Sequence, residues 1–462
     1  LTLGGSGTAV TLASGATQSG FGRNGSVNWQ TTIKTGDFTA VNGEGYFINT
    51  TSGAITMTLP SSPSVGSIVT FKDYAGTFDT NNLTINRNGS NIIGGTNNPV
   101  VSVEGQAGTL VYGDATQGWQ IVEAATDADL PRPAFVTATG GTITCSGNFR
   151  IHTFTGPGTF AISNAGNPVG SNTLDYLVVA GGGGGGQGNN ASGGGGGAGG
   201  LRFSASTFTA PPTSAPRAGS AITATLASFP ITVGAGSARS PISPNCGTVG
   251  GSDGNNSIFS TITSTGGGGG GSYLAPVEFG RPGGSGGGGA GDTSSSGGAA
   301  GLGNTPPTTP SQGNNGGAGI DTSPDYPAGG GGGAGGVGTT QPHPGPGGPG
   351  GVGLQINIDT NTHYYSGGGG GSVWETSTGG NGGTGGGGGG GAGPGATGAG
   401  TGGGCAVNTG GAGVNNWPTQ ANGGDGGTNT GGGGGGNNKS PPGLIANSAG
   451  GSGIVIIRYK YQ

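Results

Sequence analysis

The chain has 462 residues, 124 of them Gly and 28 Pro, with 13 basic against 18 acidic side chains and a net charge of −5. So sparse and balanced a charge leaves no electrostatic footprint for nucleic acid or an anionic membrane, and no apolar run approaches the roughly 18 residues of a membrane span. Length alone suggests about three domains, but composition divides the chain in two: the first 130 residues hold only 20 of the glycines and three of the prolines.

Leu1 begins no signal-peptide pattern and there is no initiator Met, so the sequence reads as starting inside a longer or processed chain. From Val27 to Glu123 it reads as short alternating strands, among them GYFINT, AITMTLP, SIVTFKDY, NLTINRNG, TLVYGD and GWQIVE. They are rich in Val, Ile, Thr and aromatics and are broken every eight to twelve residues by Gly, Asn, Pro or Ser, the pattern of an all-β sandwich or prism. RNGS, Arg87 to Ser90, predicts a tight turn, because Asn and Gly tolerate positive φ. Ala125 to Phe135, with two prolines and two acids, reads as a linker. More strands follow in FRIHTFTGPGTFAI, NTLDYLVVA, FPITVGAG and NSIFSTITST, and a last one in GIVIIRYKY. Strand aromatics Phe47, Phe71, Trp119, Phe154 and Tyr176 are expected in a core or subunit contact.

Between these strands lie about a dozen glycine runs, including Gly181 to Gly186, Gly266 to Gly271, Gly329 to Gly333, Gly367 to Gly371, Gly385 to Gly391 and Gly431 to Gly436. Collagen is excluded, since it needs glycine at every third position rather than in contiguous blocks. A flexible linker does not account for runs of similar length recurring beside loops with Trp, Tyr and Pro, framed by strands. The runs instead fit a bundle of polyglycine helices in the polyproline II conformation, three residues per turn, where six glycines span about 19 Å. Such a helix has no internal hydrogen bonds, so its N–H and C=O groups point outward to neighbours. A central helix must be glycine on all three faces; interrupted runs such as GGAGG and GGTGG are expected at the rim.

The chemistry of enzymes is thin. Three cysteines, Cys145, Cys246 and Cys405, are far apart, form no metal or disulfide pattern, and are expected to be reduced and mostly buried. Asp359 and His363 form one couple without further ligands. GGGGNNKS lacks the adjacent Gly-Lys of a phosphate loop, and the carboxylates are too scattered to name a glycosidase pair. No enzyme, metal or cofactor is expected. Aromatics on loops between runs are suited to recognition, because they offer large contact area at small entropic cost. The candidates are Tyr273, Phe279, Tyr326, Tyr364, Tyr365, Trp374 and Trp417, with His343 and His363 beside them.

DYLVVAGGGGGG, ITVGAG, NSIFSTITSTGGGGGG and the closing GGSGIVIIRY resemble the glycine-rich domain of tail-fibre and adhesin proteins of tailed bacteriophages, marine and cyanobacterial phages included. The segment from VNWQTTIKTG to NRNGSNI is similar to the β-rich modules that precede such tips. The resemblance implies a β-rich shaft module over residues 1–130, a linker and entry strands over 131–180, and a polyglycine receptor-binding domain over 181–462 closed by a C-terminal strand. It further implies a homotrimeric fibre on the virion. Its loops would bind a host surface receptor, whether lipopolysaccharide, another polysaccharide or an outer-membrane protein, and it would join other tail proteins through what precedes Leu1. An ice-binding protein and a structural filament or virion decoration protein remain as alternatives.

Overall fold

The computed structural model describes residues 27–122, 133–188, 191–239, 249–273, 275–291, 297–405, 407–416, 421–438 and 447–462. Most of the expected linker, Cys246 and Trp417 lie outside them. The chain forms two compact units, Leu1–Pro133 and Ala134–Gln462. Both are built from β-strands and extended segments; one short 3-10 turn, Ala215–Arg217, is the helical element among the described residues.

In the first unit the chain winds alternately between two sheets. Asn28–Trp29, Glu44–Ile48 and Ile68–Asp73 pair in parallel in one sheet, while Phe38–Thr39, Ile55–Thr58 and Leu83–Asn86 pair in parallel in the other. Antiparallel strands close each sheet: Ala107–Asp114 and Gly118–Ile121 on the first, Val100–Val101 on the second. Alternating residues of both sheets, Tyr46, Ile48, Met57, Val69, Phe71, Ile85 and Leu110, fill the core between them. The same alternation turns Phe47 outward, half-buried and stacked on Trp29 at 4.8 Å, so of the two expected places, core or subunit contact, it does not take the core. The turn at RNGS is present: Asn88 and Gly89 have φ of 47° and 92°, and the Ser90 N–H donates to Arg87 O at 3.0 Å. Buried Asp73 anchors a loop by accepting from the N–H groups of Gly76, Phe78 and Gly105. Burial alone would raise its pKa, but these bonds outweigh burial and the net shift is downward.

The second unit begins as a sandwich of two sheets. One runs Val136–Thr139, Gly158–Ala165, Ser228–Thr232, Ser257–Phe259, Ile262–Ser264; the other runs Thr142–Ser146, Phe149–Phe154, Ile454–Lys460, Thr173–Val179, Leu201–Phe203. The C-terminal strand thus sits at the centre of its sheet. Val455, Ile457 and Tyr459 pack between the sheets, while Ile454 and Ile456 face the other way, toward Leu177, Val179, Leu354, Ile356 and Tyr365. Apolar side chains on both faces explain why GIVIIRYKY is nearly continuous in hydrophobicity rather than alternating.

From the strand Thr173–Val179 the chain passes straight into the first glycine run, and the runs form the expected bundle. Segment 193–200 shows the geometry best. Its successive N–H groups donate to Gly271, Gly329, Gly434, Gly268, Gly332 and Gly431, at 2.7 to 3.0 Å. Three neighbours are therefore served in rotation, and then again in the same order, which is the three-residue repeat of polyproline II. Its carbonyls accept from three other segments, for example from Gly288, Gly369 and Gly183. Six neighbours surround one helix. A Cβ built on Gly194, Gly195 or Gly196 would lie 2.0, 2.1 or 2.2 Å from a neighbouring carbonyl oxygen, so the second Cα hydrogen of each points at that oxygen. These are Cα–H···O contacts of about 0.5–1 kcal/mol each.

The expectation for interrupted runs needs division. Thr384, in GGTGG, is exposed at the rim. Ala198 and Ala334, both in GGAGG, are 0 % and 1 % exposed. Ala334 shows why: it meets the apolar cluster against the sheet, so a rim of the bundle is here an internal boundary. The thiols also differ from expectation. Cys145 lies exposed on the edge strand Thr142–Ser146, and Cys405 is half-buried with Sγ 3.0 Å from Tyr364 O.

Candidate functional site

The pairing of the runs sorts their connections onto two ends. At the sandwich end, helices continue into strands: Ala180 follows Val179, Gly200 precedes Leu201, and Gly453 precedes Ile454. At the far end, Ser372 donates to Gly193 and accepts from Ala328, Gly347 donates to Thr378, and Gly291 donates to Ser192. Sequence neighbours part company here. His363, Tyr364 and Tyr365 form the strand that enters segment 366–373 at the sandwich end, and Trp374 follows that segment at the far end. Eight residues at polyproline II rise put the two about 25 Å apart.

Among the predicted candidates, the far end gathers Tyr273, Phe279, Tyr326, His343 and Trp374. Three of its loops meet at one buried group. Asp325, 1 % exposed, accepts from the Thr376 hydroxyl, its carbonyl accepts from the Trp374 N–H at 2.9 Å, and its Oδ2 lies 3.8 Å from His343 Nε2. Tyr326, His343 and Trp374 are each half-buried beside this anchor. Phe279, 51 % exposed, borders a notch of about 270 Å³ lined by Pro276, Val277, Arg281 and Pro282 over the backbone of Gly250 and Gly270. Arg281 is held there by Asp253 at 2.7 Å, and the second carboxylate oxygen of Asp253 accepts from the Gly269 N–H. An aromatic edge, two prolines and a pinned guanidinium can take a flat ring or sugar face with a polar rim. Pro276, Val277 and Arg281 were missed by counting aromatics; the signal was the compact APVEFGRP segment, whose apolar, aromatic and basic residues stand between two glycine blocks.

The sandwich end corrects part of the candidate set. Tyr365 is 1 % exposed within the apolar cluster, and burial drives its phenol pKa far up, so it is a core residue. It alternates inward on a strand whose neighbour Tyr364 is 37 % exposed. His363 faces Asp359 at 3.4 Å and the Tyr365 ring edge-on. No cluster of three or more metal-type side chains occurs among the described residues.

A family model described as a glycine-rich domain matches residues 153–416, more than half of the chain. No curated protein gives a significant match. With its runs built as a lateral hydrogen-bonded bundle over a β-sandwich, the chain belongs to the glycine-rich domain family.

Proposed function

We propose that this protein is a receptor-binding adhesin of a tailed-bacteriophage fibre, which attaches the virion to its host through the far-end loops of the polyglycine bundle. The supporting observation is the gathering of Tyr273, Phe279, Tyr326, His343 and Trp374 at the end of unit two opposite its sandwich, the last three on loops that meet at Asp325. The bundle supplies stiffness and the loops supply chemistry, a division that suits recognition rather than catalysis. Contacts of modest individual strength add up when a trimeric fibre, and several fibres per particle, engage one surface. The ligand class is a host surface glycan or outer-membrane protein.

The test is binding of the fluorescently labelled chain to a panel of bacteria, with and without their surface glycan stripped. On a strain that binds, Phe279→Ala combined with Trp374→Ala is expected to lower cell binding at least tenfold while Tyr364→Ala leaves it unchanged. Retained binding by the first variant, or loss with the second, would place recognition elsewhere.

A further inference from the structure

A cleft lies at the opposite end of this unit, in the mouth of the sandwich. Leu201–Phe203 and Ile262–Ser264 are the edge strands of the two sheets and lie side by side. Between them opens a cleft of about 460 Å³, lined by Tyr176, Arg202, Ala218, Gly219, Ser220, Ile262, Thr309 and Pro310. Its volume falls in the range of small-molecule sites.

Its one charged lining group is a cation. Leu201 and Phe203 turn into the apolar cluster beneath the sheet, so strand alternation turns Arg202 the other way, onto the face of its partner Val178 and of Tyr176. Arg202 is half-buried and forms no ion pair or side-chain hydrogen bond among the described residues. The nearest acidic neighbour along the chain, Asp175, is already committed: its carboxylate accepts from Ser204, Ser206 and Thr207. Burial pushes the Tyr176 phenol pKa up, and the Arg202 charge beside it works in the opposite direction. The cleft therefore joins an uncompensated guanidinium fork, hydroxyls of Ser220 and Thr309, and an apolar wall of Ile262, Pro310 and Ala218. A guanidinium pairs two-pronged with carboxylate or phosphate, and the apolar wall suits the C–H face of a ring.

We infer that this cleft binds an anionic sugar unit, held by Arg202 through a carboxylate or phosphate with its ring against Ile262 and Pro310. It is a second ligand subsite, separated from the far-end loops by the length of the bundle.

Titration calorimetry with methyl glucuronide, glucose 6-phosphate, glucose and inorganic phosphate tests this on the full chain. At least one of the two anionic sugars is expected to bind, at least tenfold more tightly than either glucose or inorganic phosphate. Which of the two binds tells carboxylate from phosphate. Arg202→Gln is expected to abolish the preference for charge. Gly219→Ala, whose new Cβ would sit 3.0 Å from the Tyr176 hydroxyl, narrows the cleft without touching the cation and is expected to weaken sugar binding. Binding of glucose or bare phosphate as tight as the sugar acids, binding unchanged in Arg202→Gln with an unaltered melting temperature, or no binding of any probe overturns the inference.

Discussion

At the scale of single residues, the absence of a side chain is the structural element. Gly195 has neighbours on every side: an added Cβ would meet Gly369 O at 2.1 Å and Gly331 N at 3.0 Å, both backbone atoms of helices that are themselves locked in place. Nothing there can yield by rotating. Gly404, at an exposed rim position with nothing within 4 Å of the same added atom, has ample room. Gly195→Ala should therefore cost about 4 kcal/mol or more, in the range of severe core disruptions. Gly404→Ala should be neutral or stabilising by up to about 1 kcal/mol, because it restricts the unfolded chain. Thermal or denaturant unfolding of the two variants measures the contrast, and equal losses would mean that crowding is not what selects glycine.

At the scale of elements, the last strand fastens the unit. Ile454–Lys460 lies between strands that precede it by some 280 and 300 residues, so the two ends of the chain segment that builds the bundle are joined in one sheet. Arg458 crosses that junction, flanked by the rings of Phe149 and Phe208 and donating to the carbonyls of Ile358 and Thr207. On the opposite face, His152 is fully buried, with Nδ1 2.7 Å from Gly140 O and Nε2 2.9 Å from the Tyr459 hydroxyl. Burial lowers its pKa below the usual 6.5, outweighing the raising effect of the Gly140 bond. The unfolded chain then binds a proton more readily than the folded one. Its stabilising contribution is complete above pH 6.5 and is lost as pH falls through the lower folded value, with a slope of at most about 1.4 kcal/mol per pH unit. Unfolding of the wild type across that window should show this slope, and His152→Gln should flatten it; an unchanged slope would assign the acid sensitivity to other groups.

Elements also show how far the sequence could be read. The strands, the turn at Asn88 and Gly89, and the polyglycine helices were legible because each is local: a period of two, a left-handed dipeptide, a block without side chains. Lateral order was not. Nothing near Tyr364 and Trp374 says that a run of eight extended residues separates them by the bundle's length, and nothing near Ala198 or Ala334 says that their small side chains are interior. Those facts depend on which run packs beside which, and a uniform glycine sequence carries little register information. Likewise the parallel winding of the first unit is a property of strand order, which alternation does not encode. Arg202 went unnoticed because a lone basic residue on a strand has no signature until the opposite sheet edge supplies the rest of the cleft.

At the scale of the whole second unit, a hydrogen-bonded lattice joins the apolar cores of the sandwich and holds the bundle where no hydrophobic side chains can. Each lateral hydrogen bond contributes only about 1 kcal/mol net, and ordering glycine costs more entropy than ordering any other residue. The bundle can hold only because its interior N–H groups find acceptors in three directions, mostly carbonyls and at Gly269 and Gly432 side-chain oxygens, and because the apolar cluster under Ile454 and Ile456 fixes one end. The attachment proposed for the far-end loops depends on this stiffness. The most direct measurement is native-state amide hydrogen exchange resolved to single glycines. The account predicts strong protection of Gly194 through Gly199, with positions three apart protected alike, and weak protection at exposed rim positions such as Gly404. Exchange of the interior glycines within seconds, at the rate of an open chain, would contradict it.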